Sequence, residues 1–169
     1  NEPNRKIILF SEYVDTIPHL EKRFKSEFKN EVLVCDGKVS KDLARHLNSD
    51  FNAQYNKVLK TNHFKSLLTS DKLSEGFNLN RASAIINYDI PWNPTRVIQR
   101  VGRINRIGSK VYDELFILNF FPSLNGADIV KSREIAQQKM FLIHNALGED
   151  AKIFDEYEEP KPASLGSKI

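Results

Sequence analysis

Arginines are concentrated in one short stretch of this sequence. Residues 81–110 carry six basic side chains and a single acidic one, Asp89, a local balance of +5 compared with +3 for all 169 residues. Asn93 and Pro94 are typical of a helix start, because Asn caps the first turn and Pro lacks an N–H that this turn would leave unpaired. At 3.6 residues per turn, four polar residues then share one face of the predicted helix: Arg96, Gln99, Arg100 and Arg103.

The chemistry of this face depends on what lies opposite it. Neighbouring arginines repel one another unless an anion is close, and a guanidinium group presents paired donors that match phosphate oxygens. The alternatives are a solvated surface, or carboxylates of the same domain that pair with the arginines. Three apolar residues on the neighbouring face are expected to pack against a sheet: Val97, Val101 and Ile104.

Five apolar runs predict the strands that position this helix. They cover residues 6–10, 31–35, 64–69, 84–88 and 114–118. Several lack the alternation of a half-exposed strand, as expected for strands that are covered on both faces. A helix is indicated between the first two runs, where apolar residues recur at spacings of three and four: Ile17, Leu20, Phe24 and Phe28. Ser40 is a candidate N-cap for a second helix. Strands that alternate with helices predict an α/β fold with a mainly parallel sheet between helix layers.

The composition is that of a globular domain. Hydrophobic residues make up 40% of the chain and charged residues 28%, and no apolar run reaches the roughly 20 residues of a membrane span. The single cysteine, Cys35, excludes an internal disulfide framework, and we expect a reducing, cytoplasmic location. Because the only methionine is Met140, we expect this chain to be part of a longer protein.

We expect three parts along the chain. Residues 1–125 form the main domain, 126–148 a C-terminal helix that packs on or extends it, and 149–169 an acidic, Pro-containing linker or tail. Gly148 would end the helix. The four histidines are scattered without metal-ligand spacing, so no metal site is expected.

Four segments resemble, in the expected order, conserved motifs of superfamily 2 helicases and translocases. Ile-Ile-Leu-Phe-Ser at 7–11 resembles the fourth motif, and Leu-Thr-Ser-Asp-Lys-Leu-Ser-Glu-Gly-Phe-Asn-Leu at 68–79 resembles the fifth. Gln-Arg-Val-Gly-Arg-Ile-Asn-Arg-Ile-Gly at 99–108 resembles the sixth. Ile-Asn-Tyr-Asp-Ile-Pro-Trp-Asn-Pro at 86–94 is similar to the linking segment of the Swi/Snf-type branch. Any one such motif is weak evidence, whereas four in order are specific.

The resemblance implies a three-layer α/β/α RecA-like domain, the second lobe of a two-lobed, nucleic-acid-dependent ATPase. Its implied cofactors are ATP and Mg²⁺, bound mainly by a first RecA-like lobe of the same polypeptide. Its implied substrate is DNA, with duplex favoured and RNA left open. This chain has neither a Walker A nor a Walker B motif, so we expect it to be inactive alone.

The resemblance also implies roles for individual residues. The arginine fingers that reach the γ-phosphate of ATP match Arg103 and Arg106. The lining of the ATP cleft matches Gln99, Arg100, Glu75, Gly76 and Asn78. Contacts with nucleic acid match Ser11, Ser70 and Asp71.

The chain departs from the Swi/Snf pattern in places, which indicates a bacterial type of relative. Asn105 and Ser109 stand where that branch usually has His and Gln, and Leu73-Ser74 replaces a usual Gly pair. Three alternatives stay open. One is a non-catalytic nucleic-acid or protein-binding module built on a degenerate helicase lobe, and another is a strand-separating helicase acting on DNA or RNA. The third is a restriction or defence complex that uses the motor as one subunit.

Overall fold

The fold is built around a parallel sheet. A computed structural model describes residues 5–74, 76–91, 93, 95–106, 108, 109, 111–120, 138 and 141. The sheet contains β1 (Lys6–Ser11), β2 (Val32–Cys35), β3 (Ser66–Ser70), β4 (Ala82–Asn87) and β5 (Phe116–Asn119). The strand order is β2-β3-β1-β4-β5, and every neighbouring pair is parallel. The predicted α/β fold is therefore confirmed, with strand ends shifted by at most two residues.

Three helices with defined bounds accompany the sheet in the described part of the chain. They are α1 (Thr16–Phe28), α2 (Lys41–His46), which continues as a π-helical turn over Leu47–Phe51, and α3 (Thr95–Ile104). Shorter 3₁₀ turns cover Lys29–Glu31, Lys57–Leu59 and Asp71–Ser74. The Ser40 hydroxyl accepts the Leu43 N–H, and the Asn93 side chain accepts the Thr95 N–H at 3.0 Å. Both caps were predicted, because these side chains satisfy N–H groups that a first helical turn leaves unpaired.

Apolar side chains are buried on both faces of the sheet. In β1, Ile8 and Phe10 join a core cluster with the apolar side of α3, whereas Leu9 joins a second cluster with α1. Val97, Val101 and Ile104 are all buried, as predicted. This double burial explains why β1 to β4 read as apolar runs, whereas Phe116 and Leu118 of the edge strand β5 are about half exposed. The two clusters also place α1 on one face of the sheet and α2 and α3 on the other.

Two of the three predicted chain parts cannot be compared with the fold. The C-terminal helix at 126–148 lies outside the described residues apart from Gln138 and Phe141, both helical, and the tail at 149–169 lies wholly outside them. Within the part of the chain that is described, no helix combines the length and apolar character needed to cross a membrane.

Polar residues collect where the parallel strands end. β1 and β3 end side by side at Ser11 and Ser70, which are register partners, and β4 and β5 end at Asn87 and Asn119, which are also partners. Asp71 follows directly after β3. Because the carboxyl ends of parallel strands share one edge, and sites in such sheets form at that edge, this is where function is expected.

Candidate functional site

A surface depression of about 370 Å³ lies between α3 and the turn after β3. Five of the predicted cleft and finger residues line it: Gly76, Asn78, Gln99, Arg103 and Arg106. Phe77 and Gly102 complete the lining. Segments more than 20 residues apart in sequence are thus brought to one place. Glu75, the remaining predicted residue of the turn, lies outside the described residues.

The backbone ties the two walls of the depression together. Gly76 has a φ of +97°, in the left-handed region that glycine enters without steric cost. Three residues later the Leu79 N–H donates to the carbonyl of Arg103 at 3.1 Å. The turn and the end of α3 are therefore held in a fixed relation, which positions Asn78 opposite the arginines.

Gly102 leaves open space in the depression. It lies inside α3, where glycine is less favourable than alanine by about 1 kcal/mol. A Cβ built at this position would meet nothing within 4 Å in the described structure. No packing contact described within this domain requires glycine there, so the open space suits a group that enters the depression from outside.

The charge of the depression comes from Arg103 and Arg106. Arg103 is half-buried and Arg106 is exposed. No carboxylate among the described residues lies within 4.0 Å of either guanidinium group. Two cations that line a shared concave surface without such a carboxylate are suited in charge to an anion, and their planar donors match phosphate oxygens.

Arg100 lies away from the depression. Its side chain is fully buried, with Nε and Nη2 donating to the two oxygens of Asp71 at 2.6 and 2.7 Å and Nη1 donating to Asn87 Oδ1 at 2.7 Å. Its guanidinium carbon lies 5.1 Å from the centre of the Phe10 ring. Arg96 approaches the same carboxylate at 3.5 Å. The alternative of internal ion pairs therefore holds for Arg96 and Arg100, and the structure directs Arg100 to Asp71 rather than into the predicted cleft.

The three residues predicted to contact nucleic acid lie together at the edge of the sheet, in different environments. Ser11 is buried, and its hydroxyl donates to Asp89 Oδ2 at 2.5 Å. Asp71 is 5% exposed and is occupied by the arginines. Ser70 is also buried, but its hydroxyl has no hydrogen-bond partner in the described structure. The geometry thus groups these residues, and it leaves only the Ser70 hydroxyl uncommitted.

Several residues of the site were missed from the sequence. Phe77 and Gly102 lie within the recognised motifs but were not singled out as lining residues. Gln54 and Asn80 form hydrogen bonds around Asn78, and nothing about their position in the chain suggested this. One available signal was the i, i+2 spacing of amide side chains in two distant segments: Asn52 and Gln54, and Asn78 and Asn80.

Shifted pKa values are found outside the depression. Burial, followed by the charge of Arg81, lowers the pKa of Lys6 to about 8, and burial raises the pKa of the Cys35 thiol. Among the described side chains, no group of three or more His, Cys, Asp or Glu residues could hold a metal ion.

Comparison with known proteins identifies the family. The model of the helicase conserved C-terminal domain matches residues 1–108, more than half of the chain. The chain belongs to this helicase C-terminal domain family. The SNF2 domain-containing protein CLASSY 3 of Arabidopsis thaliana is 36% identical to the helicase domain over 110 residues, 62% of this chain and 7% of that protein. An uncharacterized ATP-dependent helicase of Mycoplasma pneumoniae is 28% identical over 157 residues, 91% of this chain and 14% of that protein.

A solved structure shows the same fold. The C-terminal part of the Fun30 ATPase domain superposes with a TM-score of 0.56 at 19% identity, covering 85% of this chain and 48% of that one. The RecA-like fold and the SNF2-type relationship expected from the motifs are therefore confirmed. The helicase domain spans only a small part of the length of the two curated relatives, which are much longer proteins.

Proposed function

We propose that this domain is the second motor lobe of an ATP-dependent DNA translocase or helicase. In this proposal it supplies arginine fingers to ATP bound between two lobes, and it contacts the nucleic-acid backbone at the edge of its sheet. The observation that carries the proposal is the presence of Arg103 and Arg106 in one depression, with no carboxylate of the described chain beside them.

The proposed role of the arginines follows from the chemistry of phosphoryl transfer. In the transition state, negative charge spreads over the phosphate oxygens. A positioned arginine stabilises this charge and can raise the rate by a factor on the order of 10³ or more. A finger on one lobe acts only when that lobe meets the nucleotide on the other. Hydrolysis would therefore depend on closure of the two lobes, which couples it to movement.

The residues of the depression fit a nucleotide phosphate. Arg103 and Arg106 would hold phosphate oxygens, and Gly102 leaves space for a close approach. ATP, when bound, supplies the phosphoanhydride bond that is broken. We propose that Mg²⁺ and most of the nucleotide are held by the first lobe, because the Walker motifs are absent from this chain.

The proposed nucleic-acid contacts lie at the carboxyl edge of the sheet. Support comes from two exposed cations beside Asp71 at this edge, Lys72, which is next to it in sequence, and Arg96, which lies 3.5 Å from its carboxylate. Contacts of this kind neutralise phosphates, so binding should weaken with salt and show little sequence preference. Duplex DNA is proposed over RNA because residues 86–94 resemble the Swi/Snf-type branch.

ATP hydrolysis by the full-length parent tests the proposal. The rate is measured with and without duplex DNA for the wild type, for Arg103→Ala and for Arg23→Ala as a matched control. Arg23 is an exposed arginine on α1, away from the depression. We expect DNA to stimulate hydrolysis, Arg103→Ala to lower the stimulated rate by about 100-fold or more, and Arg23→Ala to leave it unchanged.

The same hydrolysis assay, with strand displacement measured beside it, separates the alternatives. An absence of hydrolysis with any nucleic acid would favour a non-catalytic binding module. Hydrolysis stimulated by duplex DNA together with displacement of a strand would favour a strand-separating helicase. Full activity in Arg103→Ala would refute the finger assignment while leaving the motor proposal intact.

A further inference from the structure

An apolar surface on the edge strand of the sheet is left uncovered by the described helices. Side chains alternate along β5, with Phe116 and Leu118 about half exposed and Ile117 packed against the core on the α3 side. Phe120, directly after the strand, continues the exposed series. Its N–H donates to the Asn87 carbonyl at 3.0 Å, so the pairing with β4 extends to this residue.

The register places these side chains on the face of the sheet that carries α1. Leu9 of β1 packs with α1, and Ile86 of β4, its register partner, lies at the margin of the same cluster. Leu118 is in turn the partner of Ile86, and register partners in parallel strands point to the same side. The Tyr88 ring adjoins them, with its centre 5.9 Å from that of Phe120. Five residues are named the β5 surface: Ile86, Tyr88, Phe116, Leu118 and Phe120.

The packing of α1 covers the part of this face that is away from β5. Its cluster unites Leu9, Val32 and Leu68 of β1, β2 and β3 with side chains of the helix, and none of its described members belongs to β5. The other two described helices, α2 and α3, lie on the opposite face. Three large apolar side chains in series on an edge strand, beside a region that is already packed, are a surface for a further packing element.

The chain that follows β5 has the sequence pattern of such an element. Only residues 121–125 separate Phe120 from the helix predicted at 126–148, and connections of this length are typical of βα units. At about 100° per residue, an apolar row lies within about 40° of the direction of Ile129, and Arg133 is the one charged residue in that sector. The apolar row consists of Ile129, Ala136, Met140, Ile143 and Leu147.

The two described residues of this segment agree with a helix that packs along one side. Gln138 and Phe141 are both helical, and Gln138 is exposed. Gln138 lies about 180° around the helix from Ile129, so the exposed polar residue is on the side opposite the apolar row. This is the arrangement of an amphipathic helix whose apolar side is buried.

We propose that the helix predicted at 126–148 docks on the β5 surface through its apolar row. The short connection keeps the helix near the end of β5, and the β5 surface adjoins that end. A helix of this length is only marginally stable in water without tertiary packing, so it depends on such a partner surface. The inference is independent of the proposed function. It implies that residues 1–148 are one packed unit and that the helix does not project from the domain.

Thiol labelling at position 118 of the 169-residue chain measures whether the β5 surface is covered. The rate is determined for Leu118→Cys, and for Val58→Cys as the accessible reference, since Val58 is 89% exposed. Peptide mass spectrometry separates each site from buried Cys35, whose lack of labelling shows that the core is folded. Both variants are then combined with Met140→Glu, in the apolar row, and with Gln138→Glu as a matched control, because glutamate is a good helix former at either position. Phe116→Cys gives a second, independent measurement on the same surface.

We expect the thiol at position 118 to react about 10-fold or more slowly than that at position 58, because labelling requires the helix to undock. Met140→Glu should raise the rate at 118 by about 10-fold, since docking would bury its charge, and Gln138→Glu should leave it within about twofold. Equal rates at 118 and 58 would overturn the inference, as would equal effects of the two glutamates. A rate at 118 that falls with rising protein concentration would also overturn it, because a second copy would then cover the surface.

Discussion

Replacement of Arg100 by lysine tests the buried ion pair that anchors α3 to the sheet. The guanidinium group makes two parallel hydrogen bonds to Asp71 and a third to Asn87, all between 2.6 and 2.7 Å, and none of its side chain is exposed. A lysine ammonium keeps the charge but cannot reproduce this planar fork. The variant therefore removes the paired, planar hydrogen bonds to Asp71 while it keeps the positive charge.

The expected loss follows from these contacts. A hydrogen bond to a charged group contributes about 1.5–3 kcal/mol to stability, and lysine loses at least one of the three. Arg100→Lys should therefore lower the free energy of unfolding by about 2–4 kcal/mol. Arg100→Met should lose about 3–5 kcal/mol, because it leaves the Asp71 carboxylate buried with only Arg96 at 3.5 Å. These losses are large beside a total stability of about 5–15 kcal/mol, so the lysine variant is the one to measure first.

Urea unfolding of the 169-residue chain, followed by circular dichroism, measures the loss. If the free energy of unfolding falls by about 2 kcal/mol per molar of urea, the midpoint should fall by about 1–2 M for Arg100→Lys. The control is Arg96→Lys, since Arg96 is 46% exposed and its ion pair is longer, so its loss should stay below about 1 kcal/mol. Equal losses in the two variants would refute the reasoning.

A combined variant sharpens the same test. Arg100→Met together with Asp71→Leu removes both charges, and it should be more stable than Arg100→Met alone, because no carboxylate is then left buried without its partner. A combined loss equal to the sum of the two single losses would show that Arg100 and Asp71 are not coupled.

Two further predictions concern Lys6 and Gly102. Lys6 releases its proton at a pH of about 8 in the folded chain but only near its ordinary pKa of 10.5 when unfolded. Unfolding therefore takes up a proton between these values, and stability rises with pH across that window. The Lys6→Met variant keeps all other titrating groups, including Cys35, so it is the reference. The free energy of unfolding of the wild type, minus that of this variant, should rise by up to about 3 kcal/mol between about pH 7 and pH 10. A constant difference in unfolding free energy would contradict this. Gly102→Ala should raise the free energy of unfolding by about 0.5–1 kcal/mol and raise KM for ATP in the parent severalfold, since the methyl group meets nothing in the domain but enters the depression. Unchanged KM would show that nothing approaches Gly102 closely.

Much of the fold could be predicted because its causes are local. Strands buried on both faces read as continuous apolar runs, and each of the five predicted runs is a strand. Ser40 and Asn93 were predictable caps, because their side chains bond to N–H groups only two or three residues away. The ordered motifs likewise indicated which residues would gather, and five of them line one depression.

The environment of individual polar side chains could not be predicted in this way. Arg100 lies only about 40° around α3 from buried Ile104, at the margin of the apolar face, so helical periodicity alone did not assign it to solvent or to the interior. Its burial depends on Asp71, 29 residues away in sequence. Ser11 is likewise committed to Asp89, 78 residues away.

The sequence by itself therefore determined the element types, the order of the motifs and the excess of arginine, because propensity, capping and periodicity act within a few residues. Only the tertiary structure decided which arginines meet a carboxylate, which line a depression, and which atom of the Asn78 side chain has no hydrogen-bond partner in the described structure. These outcomes depend on contacts between segments that the parallel sheet brings to one edge, and the strength of a charge or a buried amide is set by those distant neighbours.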